Sequence, residues 1–150
     1  MAQASLVIIY RHSLEKAQNF CMFGQFQQSN IRLEINASSQ TIRESLTQPQ
    51  QLKQWLWLQR WPEMPAQLTA GTTFTTQIGI VPIHHTVETL HDHGIRFLLR
   101  QGIDGFHGWS WDDGWLQSHL EGVSLLPLNL GQTVTLLSLR RFIETKAAQP

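Results

Sequence analysis

The apolar positions along the chain change period three times. Ile31 to Ile35 alternates, with Ile31, Leu33 and Ile35 on one side and Arg32 and Glu34 on the other, which predicts a half-buried strand beginning near Phe26. Asn36-Ala-Ser-Ser breaks it. Ser38 or Ser39 then suits the N-cap of a short helix running to about Leu46, and Pro49 suits the first turn of a second, Gln50 to Leu58, with Leu52, Trp55 and Leu56 on one face. The prolines of Trp61-Pro-Glu-Met-Pro mark a loop.

From Gly71 the period is two. Thr73 to Ile80 places Phe74, Thr76, Ile78 and Ile80 together; Ile83 to Leu90 follows Pro82; Ile95 to Gln101 follows a turn at His91-Asp-His-Gly. After a further turn at Gly102 to Gly105, Phe106 to Asp112 and Trp115 to Val123 flank Asp113-Gly114, a strong two-residue hairpin signal. A two-residue loop pairs Asp112 with Trp115. His107, Trp109, Trp111, Leu116, Ser118 and Leu120 then share the inner face; Ser110, Asp112, Gln117, His119, Glu121 and an exposed Trp115 share the outer one.

The last run, Leu128 to Lys146, returns to helical period. Asn129 can cap it, Gln132 can reach back in a capping box, and Arg140, Arg141 and Lys146 suit its C-terminal end. It carries two apolar sectors: a stripe of Leu130, Val134 and Leu137, and a broader one of Leu136, Leu139, Phe142 and Ile143. Both are expected to be gripped. A strand, two short helices, about five consecutive strands and a long helix make an α+β domain with an antiparallel sheet of six or seven strands.

Length and composition narrow the function. The chain has 150 residues, enough for one domain with a sizeable core. Eleven basic and eleven acidic side chains cancel, so a nucleic acid is not the expected partner. Cys21 is the only cysteine, which excludes an internal disulfide and makes a reducing cytoplasm the default location. Ala4 to Tyr10 is apolar but far shorter than the ~20 residues of a membrane span, and it lacks the flanks of a signal peptide. Met1 to Cys21 therefore reads as an N-terminal appendage, or as an over-long start before Met22, with 22–150 as the domain.

The order of elements, the strand leading to Ala37-Ser-Ser-Gln-Thr-Ile, the run Leu46-Thr-Gln-Pro-Gln-Gln-Leu-Lys-Gln-Trp, Leu68-Thr-Ala-Gly-Thr-Thr-Phe and the closing helix together resemble the START-related or SRPBCC superfamily, from about Met22 to Ala147. This superfamily includes the birch-pollen-allergen-like and polyketide cyclase-like proteins. The resemblance implies a helix-grip: a curved sheet around the long helix with an apolar cavity between them. Members bind lipids, sterols, hormones or polyketides, some catalyse cyclisation or hydrolysis, and others activate chaperones. No catalytic motif spans the superfamily, so no catalytic residue is carried over.

Seven histidines raise the question of a metal. His91 and His93, spaced i, i+2, could share zinc, but His84 and His85 point to opposite faces of their strand and no thiolate cluster exists, so no metal or cofactor is expected. For acid-base chemistry the open question is register: if Leu90 pairs with Ile95, Glu88 and His84 turn inward, and a shift of one residue turns both out. No nucleophile or phosphate-binding motif occurs. The Trp set (Trp55, Trp57, Trp61, Trp109, Trp111) is most simply core. The expected function is binding of a small hydrophobic or aromatic ligand, with Trp109, Trp111 and Leu137 as contact area and His107 and Ser118 as polar anchors, by a monomer or weak dimer. The alternatives are a cyclase- or hydrolase-like enzyme using His107 or Glu88, and an interaction domain anchored by Trp115.

Overall fold

A computed structural model describes residues 24–148. The expectations for Met1 to Cys21, Cys21 included, lie outside the described residues. Strands β1 (Gln25–Glu34), β2 (Thr73–Ile78), β3 (Val81–His91), β4 (Gly94–Gln101), β5 (Ile103–Asp112) and β6 (Trp115–Ser124) form one antiparallel sheet in the order β1-β6-β5-β4-β3-β2. Helices α1 (Ser39–Thr47) and α2 (Pro49–Trp55) follow β1, and α3 (Leu128–Ala147) closes the chain. The sheet curves around α3, as the resemblance implies.

The β5–β6 register is the one read from the sequence: Asp112 faces Trp115, Trp111 faces Leu116, Trp109 faces Ser118 and His107 faces Leu120. The turn also docks the first helix. Asp113 Oδ1 accepts from the Ser39 amide at 2.6 Å, and the Gly114 amide donates to Ala37 O at 3.0 Å. Ser38 is the N-cap of α1, its hydroxyl accepting from the Thr41 amide. Trp115 is not an exposed anchor. It is half-buried, with the Arg32 guanidinium 4.1 Å from its ring.

Four local expectations are corrected. Gly79, at φ +61°, and Ile80 form a two-residue turn between β2 and β3, so Ile80 stands at a hairpin tip, 95 % exposed, rather than on the inner face. β5 begins at Ile103, one residue inside the loop expected at Gly102 to Gly105, because the chain turns at Gln101, with φ +75°, and Gly102. Helix α2 ends at Trp55, three residues early, which leaves Trp57 exposed and outside the core. Helix α3 is not capped by Asn129. Its first amide, Leu128 N, donates to Gln27 Oε1 at 3.0 Å, while Gln27 Nε2 donates to Ser124 O and Leu126 O. Asn129 instead accepts from Ser29 Oγ.

The largest correction concerns the face of α3. Leu128, Gln132, Leu136, Leu139 and Ile143 are buried. Leu130 and Leu137 are 63 % and 59 % exposed. The helix is gripped along one side, the one with the larger apolar volume, and Leu137 does not reach the interior.

Candidate functional site

The inner face of the sheet, helix α2, the segment after it and the N-terminal half of α3 line a partly open cavity of about 290 Å³. Its wall is largely apolar: Leu52, Trp55, Phe74, Ile83, Phe97, Leu99, Trp109 and Leu120 contribute, with Leu130 and Val134 from α3. Trp55 meets Trp109 edge-on at 6.3 Å, and its indole N–H donates to Ser45 O, so α1 and α2 set this wall. Trp61, Phe74 and His85 form a continuous stack, with centroids 5.2 and 4.7 Å apart and nearly parallel planes. Phe97 meets both Phe74 and His85 edge-on.

Two histidines interrupt this wall, one expected and one missed. His107 lies on β5 as the hairpin register requires, with its ring 4.6 Å from that of Trp109. Its Nε2 is 2.8 Å from Ser118 Oγ. Ser118 is fully buried behind it and is held in turn by Gln132, whose Nε2 donates to Ser118 O at 3.0 Å and to Ser118 Oγ at 2.8 Å. A residue assigned to the helix cap is thus the third member of a buried polar chain. The missed histidine is His85, whose Nε2 is 2.8 Å from the hydroxyl of the fully buried Thr76.

The reason His85 was missed is a β-bulge. Leu90 does pair with Ile95, yet the register shifts between Val87 and Thr89. The extra residue is Glu88, and it reverses the in–out alternation upstream of it. Ile83, His85 and Val87 are therefore buried, while Glu88 is exposed and bound to Arg96 at 2.7 Å. His84 bonds Thr75 rather than entering the cavity. Neither Glu88 nor His84 is available to the site.

Burial pushes the His107 imidazole down to about 3, with lesser repulsion from His85 and His119. Burial likewise pushes His85 down to about 3, with His84 adding to it. Both rings are neutral at physiological pH. Of the other expected residues, Trp111 is buried in the core outside the cavity wall, and Leu137 is on the outer side of α3. His91 and His93 occupy the β3–β4 turn, where the His93 amide donates to His91 Nδ1; among the described residues no three His, Cys, Asp or Glu side chains converge as metal ligands.

Neither a protein-family model nor a curated protein matches the sequence. Solved structures do. The chain resembles DynU16, a protein of the dynemicin biosynthetic locus, with TM-score 0.61 and 16 % identity, over 79 % of this chain and 48 % of that one. This chain thus spans about half the length of DynU16. The AHSA1-like protein from Aeromonas hydrophila matches with TM-score 0.62 and 12 % identity over 82 % of this chain and 96 % of that one. The Aha1 dimer from Colwellia psychrerythraea matches with TM-score 0.59 and 18 % identity over 79 % and 96 %. The fold is the helix-grip. Its sheet, paired short helices and long closing helix make up that fold, and the cavity lies between helix and sheet. No helix among the described residues is long and apolar enough to cross a membrane.

Proposed function

We propose that this helix-grip domain binds a small hydrophobic or aromatic molecule in the cavity between the sheet and α3. The observation that carries the reading is the wall itself: aromatic and aliphatic side chains around a space of about 290 Å³, interrupted by the cavity-lining His85 and His107. Ligand pockets have this make-up, a broad apolar surface with a few placed polar groups. His107 and Trp109 are the ligand contacts retained from the sequence, and Ser118 acts through His107. The site favours binding over acid-base catalysis. A histidine held near 3 is a weak base at neutral pH, and Glu88 lies on the outer surface.

The likeness to DynU16, a protein of a biosynthetic locus, fits a small-molecule ligand, and the likeness to the Colwellia Aha1 dimer fits a weak dimer. A cytoplasmic location fits the single cysteine. Native mass spectrometry of the protein purified from its own source tests the reading. A co-purifying small molecule that is lost from Trp109→Ala is the expected result. A wild-type protein that carries no ligand and gains no thermal stability from any apolar probe rejects it.

A further inference from the structure

The hydrogen-bond chain behind His107 has only one arrangement that gives every hydrogen of the Gln132 amide and the Ser118 hydroxyl an acceptor among the described residues. Ser118 O is a carbonyl and can only accept, so the Gln132 atom facing it is the amide nitrogen. That nitrogen's second hydrogen goes to Ser118 Oγ. The Ser118 hydroxyl hydrogen then has one acceptor among the described residues, His107 Nε2 at 2.8 Å. A neutral imidazole that accepts at Nε2 carries its proton on Nδ1. The reverse arrangement, with His107 donating to Ser118, would leave a fully buried hydroxyl hydrogen without an acceptor.

The Nδ1–H has no protein partner among the described residues, and it is not one of the polar atoms sealed away from any space. His107 lines the cavity, so a donor on this ring that is neither bonded nor sealed has the cavity to open into. His85 repeats the pattern two strands away. Among the described residues the hydroxyl of buried Thr76 has only His85 Nε2 to donate to, which leaves a second Nδ1–H on a ring that lines the same cavity. Holding the Gln132 amide in this orientation carries a cost, because its Oε1 is buried with no partner among the described residues. An apolar side chain at that helix position would pack against the sheet without that cost. Among the described residues no Lys, Arg, Asp or Glu lines the cavity, so an ionised ligand would bury its charge without a partner there.

We propose that Gln132 and Ser118 lock His107 as its Nδ1–H tautomer, and that this donor makes the cavity selective for uncharged aromatic ligands bearing a hydrogen-bond acceptor, such as a ketone or aldehyde oxygen. The proposal rests on the cavity-binding reading above and adds the ligand's chemical class. Gln132 and Ser118 are positioning residues; His107 is the contact.

Two measurements on the full chain separate the proposal from the reading it rests on. Nitrogen-15 long-range correlation spectra at neutral pH read the tautomer with no ligand present. Wild-type His107 is expected as the Nδ1–H form, and Ser118→Ala and Gln132→Met as mixtures with the Nε2–H form. A wild-type Nε2–H ring, or variants with an unchanged ring, overturns the lock. Binding is then compared for 2-acetylnaphthalene and 2-isopropenylnaphthalene, which have nearly the same shape and differ in the acceptor oxygen. The preference for the ketone over the hydrocarbon is expected to fall about tenfold in His107→Phe, the size of one neutral hydrogen bond. Ser118→Ala, whose ring is free to turn its lone pair inward, is expected between the two and stands in if His107→Phe does not fold. If both probes bind with a ratio that no variant changes, the cavity reading stands and the donor assignment falls. If neither probe binds, both fall.

Discussion

At the residue scale, the site is defined by two imidazoles placed where the surrounding wall disfavours their charged forms. The consequence is a pH dependence with a definite sign. Unfolded histidine takes up a proton near 6.5, whereas His85 and His107 in the fold resist it down to about 3. Between these values the unfolded chain binds more protons than the native one, so stability is complete above 6.5 and declines as pH falls toward 3. At pH 5 each histidine is expected to cost on the order of 1–2 kcal/mol relative to neutral pH. Urea unfolding at a series of pH values checks this, and a His85→Phe, His107→Phe double variant that keeps the full wild-type acid sensitivity over pH 5–7 contradicts it. The same residues show what sequence can reveal. His107 was legible because the Asp113-Gly114 turn fixes its register. His85 was not, because one inserted residue, Glu88, decides its side, and a bulge leaves no mark in an alternating pattern.

At the scale of elements, helix α3 shows how an amphipathic pattern can name the helix and leave its orientation open. Its two apolar sectors compete for one sheet, and the sector with Leu136, Leu139 and Ile143 is buried. Aspartate at position 139 would place a carboxylate at a fully buried site, at a cost of several kcal/mol, and is expected to prevent folding. Leu137→Asp, on the exposed side, is expected to change stability by no more than about 0.5 kcal/mol. Circular dichroism melts of the two variants decide it; an unfolded Leu137→Asp protein would mean that the stripe with Leu130 is covered in solution. Gln132 belongs to this scale too. Its place three residues after Asn129 fits a capping box, but the start of α3 is already held by Gln27 from β1, roughly a hundred residues away in sequence. With that role filled, the Gln132 amide turns to the sheet and meets Ser118.

For the whole molecule, the sheet makes one wall of the cavity, and two glycines facing each other across β5 and β6 permit a close approach of those strands. Gly105 pairs with Gly122, and a Cβ at Gly105 would collide with the Glu121 carbonyl oxygen. Gly105→Val is expected to lose more than about 3 kcal/mol or to fail to fold. Gly108→Ala, three residues on, meets no atom nearer than 3.9 Å and is expected to be neutral or slightly stabilising. Guanidinium denaturation of both compares them, and equal midpoints would remove close strand approach as the reason for glycine at 105. The sequence by itself determined the order of elements, the antiparallel sheet and the β5–β6 register, and its resemblance to a known superfamily implied the helix-grip. The first three follow from local periodicity, turn chemistry and short connections, all of which act between near neighbours in the chain. Tertiary structure alone decided which side of α3 is buried, that Leu137 and Trp57 face outward, that Trp111 sits behind the cavity wall, and that His85, Thr76 and Gln132 join the site. Each of these depends on contacts between segments distant in sequence, where competing apolar faces and polar partners are resolved only by the shape of the packed sheet.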